Sequence, residues 1–151
     1  KSHVSAVEDL EFKPNNPQII YAIGDGVYLK STDGGNSFTA IASITGRGRS
    51  MVSVTAANPE VVYVIQATPS GIFGKFYKST DSGDNFTIVS SGFSGNNNIL
   101  GYEPNGTGTS GQAWHDLAMD VSPTNENTEW CNEYLFDYNN VDKARLLKIV
   151  N

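Results

Sequence analysis

One cysteine, Cys131, stands in 151 residues. A disulfide within the chain is therefore excluded, and so is a zinc site built on paired cysteines. Histidine is nearly as scarce. His3 and His115 lie far apart in the sequence, and His115 has no neighbouring histidine or cysteine with which to hold a metal or build a triad. No metal and no cofactor is expected. Basic residues are few: 10 Lys plus Arg against 16 Asp plus Glu, a net charge of −6. Nucleic acid is excluded as a partner on that ground, because phosphate binding relies on clustered cations. No apolar run is longer than a short strand, whereas a membrane helix needs roughly 20 such residues. The chain opens at Lys1-Ser2 without Met and without an apolar leader. Either a leader has been removed or the sequence is a piece of a longer one.

What is present in quantity is turn chemistry: 15 Gly, with many Asn, Ser and Thr between short apolar bursts. That composition reads as many short strands joined by turns. The strands repeat. Ser31-Thr32-Asp33-Gly34-Gly35-Asn36-Ser37-Phe38 recurs 48 residues later as Ser79-Thr80-Asp81-Ser82-Gly83-Asp84-Asn85-Phe86. Upstream, Asn16-Pro17-Gln18-Ile19-Ile20-Tyr21-Ala22-Ile23 recurs after 42 residues as Asn58-Pro59-Glu60-Val61-Val62-Tyr63-Val64-Ile65. The difference of six falls between Ala67 and Gly74, so the second unit carries a longer hairpin there. A third start is visible at Trp114. Asp116-Leu117-Ala118-Met119 matches Asp9-Leu10-Glu11-Phe12, and Ser122-Pro123-Thr124-Asn125 matches the turn Lys13-Pro14-Asn15-Asn16.

Each unit reads as four strands: in the first, Val7–Phe12, Ile19–Ile23, Val27–Lys30 and Phe38–Ile44. Gly24-Asp25-Gly26 and the Asp-Gly-Gly turn punctuate them. A unit of 40–50 residues with four antiparallel strands has the size of one β-propeller blade. The reading divides the chain into units 1–48 and 49–91, a Gly- and Asn-rich loop 92–113, and a partial third unit with its tail, 114–151. In that tail the turn glycines vanish, no third Asp-Gly turn appears, and Val141–Val150 suits either a short helix or a final strand. Blades with open edges call for company. The chain is expected to be a fragment of a larger propeller, completed by further blades of the same parent protein or of another chain.

The motif Ser-x-Asp-x-Gly-x-x-Phe resembles the Asp-box, or BNR-repeat, β-propeller families, among them sialidases, sortilin-type receptors, xyloglucanase-type glycoside hydrolases and photosystem assembly factors. The blade start Trp114-His115-Asp116-Leu117-Ala118-Met119 is similar to those of secreted proteins of gliding, polysaccharide-degrading bacteria. The resemblance implies a secreted or cell-surface bacterial protein. It also implies a structural role for Ser31, Asp33, Gly35, Phe38, Ser79, Asp81, Gly83 and Phe86: carboxylates taking backbone N–H groups of their own turns, glycines closing them in left-handed conformation, and phenylalanines plugging the turn against the sheet. The box is expected away from the ligand-binding face.

Several residues are candidates for chemistry. Asp25 lies where xyloglucanase-type enzymes place a catalytic Asp, and a carboxylate pair across a cleft performs acid and base work; Asp-Gly is equally a common hairpin turn. Asp9 and Asp116 fall at matching points near the start of the innermost strand, lining a ligand site or bonding local N–H groups. Arg47 and Arg49 invite comparison with the three substrate-binding arginines of sialidases, but the next Arg is Arg145, so a solvated loop is expected. The loop after Ser90 is long enough to build a ligand face, with Tyr102 and Trp114 as sugar-stacking platforms beside His115. The resulting expectation is a non-catalytic scaffold that binds polysaccharide or protein. A glycoside hydrolase of xyloglucanase type, or an assembly factor, is the alternative.

Overall fold

A computed structural model describes residues 7–92, 97–103, 105–135 and 143–150, with backbone alone for 129–135 and 143–150. Three antiparallel sheets follow one another along the chain. The first runs β1 (Val7–Phe12), β2 (Ile20–Gly24), β3 (Val27–Ser31) and β4 (Thr39–Ala40), in that spatial order. The second repeats it with β5 (Ser50–Val54), β6 (Val62–Ala67), β7 (Phe73–Ser79) and β8 (Thr87–Ser91). A helical turn α1 (Ala113–Asp116) leads into the third, β9 (Ala118–Val121), β10 (Thr128–Leu135) and β11 (Lys143–Val150).

One expectation from the sequence needs revision, and one open alternative is resolved. The strand expected over Phe38–Ile44 is only Thr39–Ala40, paired with Lys30 and Leu29. The chain then leaves the sheet edge, because Ile44, 5% exposed, is drawn with Ile41 into the core between the first two sheets. The segment that suited helix or strand equally is the strand β11, paired with β10 from Thr128↔Val150 to Leu135↔Lys143. The third sheet thus has three strands among the described residues.

β2 and β6 read as continuous apolar runs because both faces of each are buried. Along β2, Tyr21 and Ile23 leave one face and, with Tyr28 of β3, pack against Val52, Val62, Val64 and Tyr77 of the second sheet. On the far face of that sheet Tyr63, Ile65 and Phe76 pack against Leu117 and Val121 of the third unit. By strand register Tyr63 is the counterpart of Tyr21, both pairing with a lysine of the next strand, so the two cores are successive copies of one interface. Each fully buried large side chain here contributes roughly 1.5–3 kcal/mol. The first strands β1, β5 and β9 lie side by side, as blades set around a shared axis require.

Polar groups sew the same seams. Lys13 Nζ reaches Glu60 across the first interface at 2.6 Å, and Lys30 Nζ reaches Asp84 at 2.7 Å. Across the second, Thr55 Oγ1 donates to Ser122 O at 2.6 Å and the Tyr63 hydroxyl to Glu126 O at 2.7 Å.

The two aspartate turns are near-copies. Ser31 Oγ accepts from Gly35 N at 2.9 Å and donates to Asp33, whose carboxylate takes both the amide (2.9 Å) and the hydroxyl (2.6 Å) of Ser37. Ser79 and Asp81 do the same with Gly83 and with the amide and side chain of Asn85. The side-chain donors of Ser37 and Asn85, then their backbone amides, hold the two carboxyls down at about 2. Each turn is tied to the first hairpin of its own blade, Gly34 N to Gln18 O and Ser82 N to Glu60 O, both at 2.9 Å.

The phenylalanines do something other than plug their own sheet. Phe86 meets the edge of Tyr28 in the preceding blade, 4.9 Å between centroids at 77°, so the turn of one blade locks onto the face of another. Its counterpart Phe38 is 40% exposed, and Leu10 and Phe12 are exposed as well. The two glycines differ accordingly. Both have positive φ, 88° for Gly35 and 75° for Gly83. A methyl on Gly35 would sit 3.3 Å from Ile20 Cδ1, whereas one on Gly83 would overlap the rigid Tyr28 hydroxyl.

Two outcomes are expected. Gly35→Ala should cost about 1–2 kcal/mol, the left-handed penalty alone, while Gly83→Ala should cost clearly more, and Tyr28→Phe combined with Gly83→Ala should recover part of the excess; urea unfolding of the four proteins in a double-mutant cycle reads this. Asp33 and Asp81 bind fewer protons folded than unfolded, so the stability they contribute is fully present above an unfolded carboxyl pKa of about 4 and is lost as pH falls toward about 2. Unfolding midpoints of the wild type should drop through that window, and Asp81→Asn should flatten the drop.

Candidate functional site

Antiparallel topology sorts the chain's features to two ends. One end gathers the aspartate turns and the β1–β2 and β5–β6 turns. The other gathers the starts of β1, β5 and β9 and the β2–β3 and β6–β7 hairpins. At this second end lies a groove of about 380 Å³ lined by Glu8, Asp25, Arg47, Gly48, Arg49, Pro69 and Trp114.

Asp25 stands in the β2–β3 hairpin, with its carboxylate fully engaged. Oδ1 accepts from Gly48 N at 2.7 Å, and Oδ2 from Arg47 Nη2 at 3.0 Å and Nε at 3.3 Å. The Gly48 amide foremost, and Arg47 after it, hold its carboxyl below the usual range. The ion pair is exposed and worth little alone; the amide bond anchors the loop. Gly48 itself, at φ 122°, presses so close to Ala67 O that any side chain would collide with backbone. The loop is exposed at Arg47, and at Gly48 it is held against the next hairpin as a wall of the groove.

Arg49 follows, on a backbone clamped from both sides: its carbonyl accepts from Ala67 N at 2.8 Å, and the next amide, Ser50 N, donates to Glu8 Oε2 at 3.0 Å. Its Nε is sealed from solvent with no acceptor. Trp114 supplies the opposite character. Half its surface is exposed, and its indole rests on Gly71, where a Cβ would strike the ring. His115 packs on it at 4.0 Å between centroids. The base of this corner is the long β6–β7 hairpin, closed by Thr68 N to Ile72 O (2.8 Å) and joined to α1 by Ala113 N to Gly71 O (3.1 Å).

The other candidates lie elsewhere. Asp9 spends its carboxylate on Leu10 N and on Val52 N of the next blade, both at 2.9 Å, stitching β1 to β5. Asp116 does not match it. Asp9 pairs with Ile23, and by register its counterpart in the third sheet is Ala118; Asp116 ends α1 two residues earlier. The acidic residue that repeats in register is Glu11 with Asp120; burial first, then Asp9 and Asp120, push the Glu11 carboxyl up. Tyr102 is exposed over a separate depression with Glu103 and Thr107–Ser110, and its hydroxyl donates to Gln112 at 3.3 Å. The described part of the long loop is built around buried Asn98, which accepts from Phe73 N and donates to Gly108 O, both at 2.8 Å, beside a Gly101–Gly111 bridge. Among the described residues no cluster of His, Cys, Asp and Glu could hold a metal, and no helix is long and apolar enough to cross a membrane.

Two groove residues escaped sequence reading. Glu8 sits beside Asp9 with no repeat partner to mark it. Pro69 lies in the one segment where the units differ in length, which was the available signal.

No family model matches the sequence, and no curated protein matches it. Solved structures do. The GH74 enzyme of Niastella koreensis is 22% identical with a TM-score of 0.51, the match covering 84% of this chain and 15% of that one. An ancestral GH74 enzyme is 15% identical with a TM-score of 0.54, covering 94% and 20%. YCF48 from Cyanidioschyzon merolae is 18% identical with a TM-score of 0.54, covering 95% and 39%. The chain spans well under half the length of each of these β-propeller proteins. Stacked four-stranded antiparallel sheets and these likenesses agree: the chain is all-β and built of β-propeller blades.

Proposed function

We propose that this chain belongs to a non-catalytic, Asp-box propeller scaffold of a secreted or cell-surface protein, and that the groove at the strand-start end holds a polysaccharide. The observation that carries this reading is Trp114: a half-exposed indole, seated on Gly71 and braced by His115, in a groove it shares with Pro69 and four charged side chains, Glu8, Asp25, Arg47 and Arg49. A pyranose ring has that same mixed character, an apolar face for the indole and hydroxyls for its surroundings. The aspartate turns, at the opposite end, stabilise blades and leave the groove end to the ligand.

The hydrolase alternative fares worse on geometry. Asp25, whose ionised form Gly48 and Arg47 favour, could serve such an enzyme only as the base or nucleophile and not as the acid, and both of its oxygens are already engaged by those two residues. On the partner side, Leu10, Phe12 and Phe38 stand exposed where, in the second blade, Val52, Val54 and Phe86 meet a neighbour. A further blade, of the same parent or of another chain, is the cover this face fits.

Trp114→Ala is expected to weaken retention on a bound polysaccharide by about tenfold, near 1.4 kcal/mol, with unfolding unchanged. Affinity electrophoresis in gels cast with single polysaccharides measures it; equal mobility of wild type and variant in every gel that retards the wild type would remove the groove from the account. Release of reducing ends by the wild type, abolished by Asp25→Asn, would favour the hydrolase instead.

A further inference from the structure

The groove's charges are unequally spent, and that inequality carries a ligand class. Asp25 and Arg47 neutralise one another. Glu8 gives one carboxylate oxygen to Ser50 N. Among the described residues Arg49 alone of the four has no ion pair and no side-chain hydrogen bond, and its Nε is shut away from water without an acceptor. A buried donor left unpaired costs about 1–3 kcal/mol. A side chain so placed persists on rigid backbone, here fixed by Ala67 N and by the Glu8–Ser50 bond. With Nε sealed, a ligand meets the terminal nitrogens, which are not shut away, and the acceptor that matches that planar pair is planar and doubly oxygenated: a carboxylate, taken in two parallel bonds.

We propose that the groove takes an acidic sugar of the uronate class, its carboxylate on Arg49 and its ring face on Trp114. The inference rests on the polysaccharide reading above and narrows it. Arg49 and Trp114 line one groove, and a uronate carries both a carboxylate and a flat apolar face on a single ring. An acidic peptide would answer Arg49 and leave the indole without a ring to cover. A phosphate group demands more positive charge than one free arginine in a chain of net charge −6. Glu8 keeps a second carboxylate oxygen, an acceptor for a sugar hydroxyl. Arg47, held by Asp25, screens the carboxylates of the groove from the incoming anion.

The test is calorimetric titration of the chain with a galacturonic acid oligosaccharide and with its fully methyl-esterified form, which has the same rings without charge. The acid is expected to bind at least tenfold more tightly than the ester, with the gap narrowing as salt is raised. Arg49→Gln should abolish the gap, Arg49→Lys should restore part of it, and Trp114→Ala should weaken acid and ester alike. Equal affinity of the two forms for the wild type, or a gap that survives Arg49→Gln, overturns the uronate inference while leaving a neutral-glycan groove standing. Oligoglutamate binding as tightly as the acid, and indifferent to Trp114→Ala, overturns it in favour of a peptide. Failure of acid, ester and every neutral polysaccharide to bind overturns the inference and the groove's function together.

Discussion

A sheet with apolar side chains on both faces has to be covered twice, and that requirement governs this chain. β6 carries buried residues alternately toward one neighbour and the other, and β2 sends Tyr21 and Ile23 toward the second sheet, so a lone four-stranded unit would leave both faces in water. Burial of Tyr21, Ile23 and Tyr28 against the second sheet is therefore the interaction on which the rest depends. The lysine and hydroxyl contacts along the seams then fix the angle at which the apolar faces meet, since each must be satisfied where the sheets close on it. The aspartate turn adds a further constraint, because Phe86 engages the ring that the preceding blade offers. Blade stability and blade association are in this way one process.

Much of the fold was legible because it is repeated. The recurrence of Asn-Pro and of Ser-x-Asp-x-Gly-x-x-Phe set the number of strands and their order, and the left-handed glycines followed from the turn itself. What was hidden depends on contacts between units. Nothing local to Phe38–Ile44 announces that Ile44 is pulled out of the edge strand into a core formed with another sheet. Nothing in the tail's own pattern chose strand over helix for Lys143–Val150; β10 made that choice by pairing along its whole length.

The groove was half legible. Asp25, Trp114 and the pair Arg47–Arg49 each stood out, but as separate candidates from different motifs. Their convergence is a product of blade stacking, which no one-dimensional spacing reports. The misplacement of Asp116 has a related cause: Asp-Leu occurs in both units, but the turn that follows sets the register, and counting back from Ser122 rather than forward from Trp114 puts Ala118 opposite Asn132.

The lengthened β6–β7 hairpin has an implication for how such a groove arises. The first unit makes its corresponding turn with Asp25 and Gly26 between the strands; the second uses five residues, Thr68 to Ile72. Those additional residues supply both Pro69 and the glycine on which the indole lies. A duplication of identical blades would yield a symmetric and featureless rim. The groove exists where the copies cease to be identical, so the departure from periodicity, rather than the period, gives this end of the chain a shape of its own.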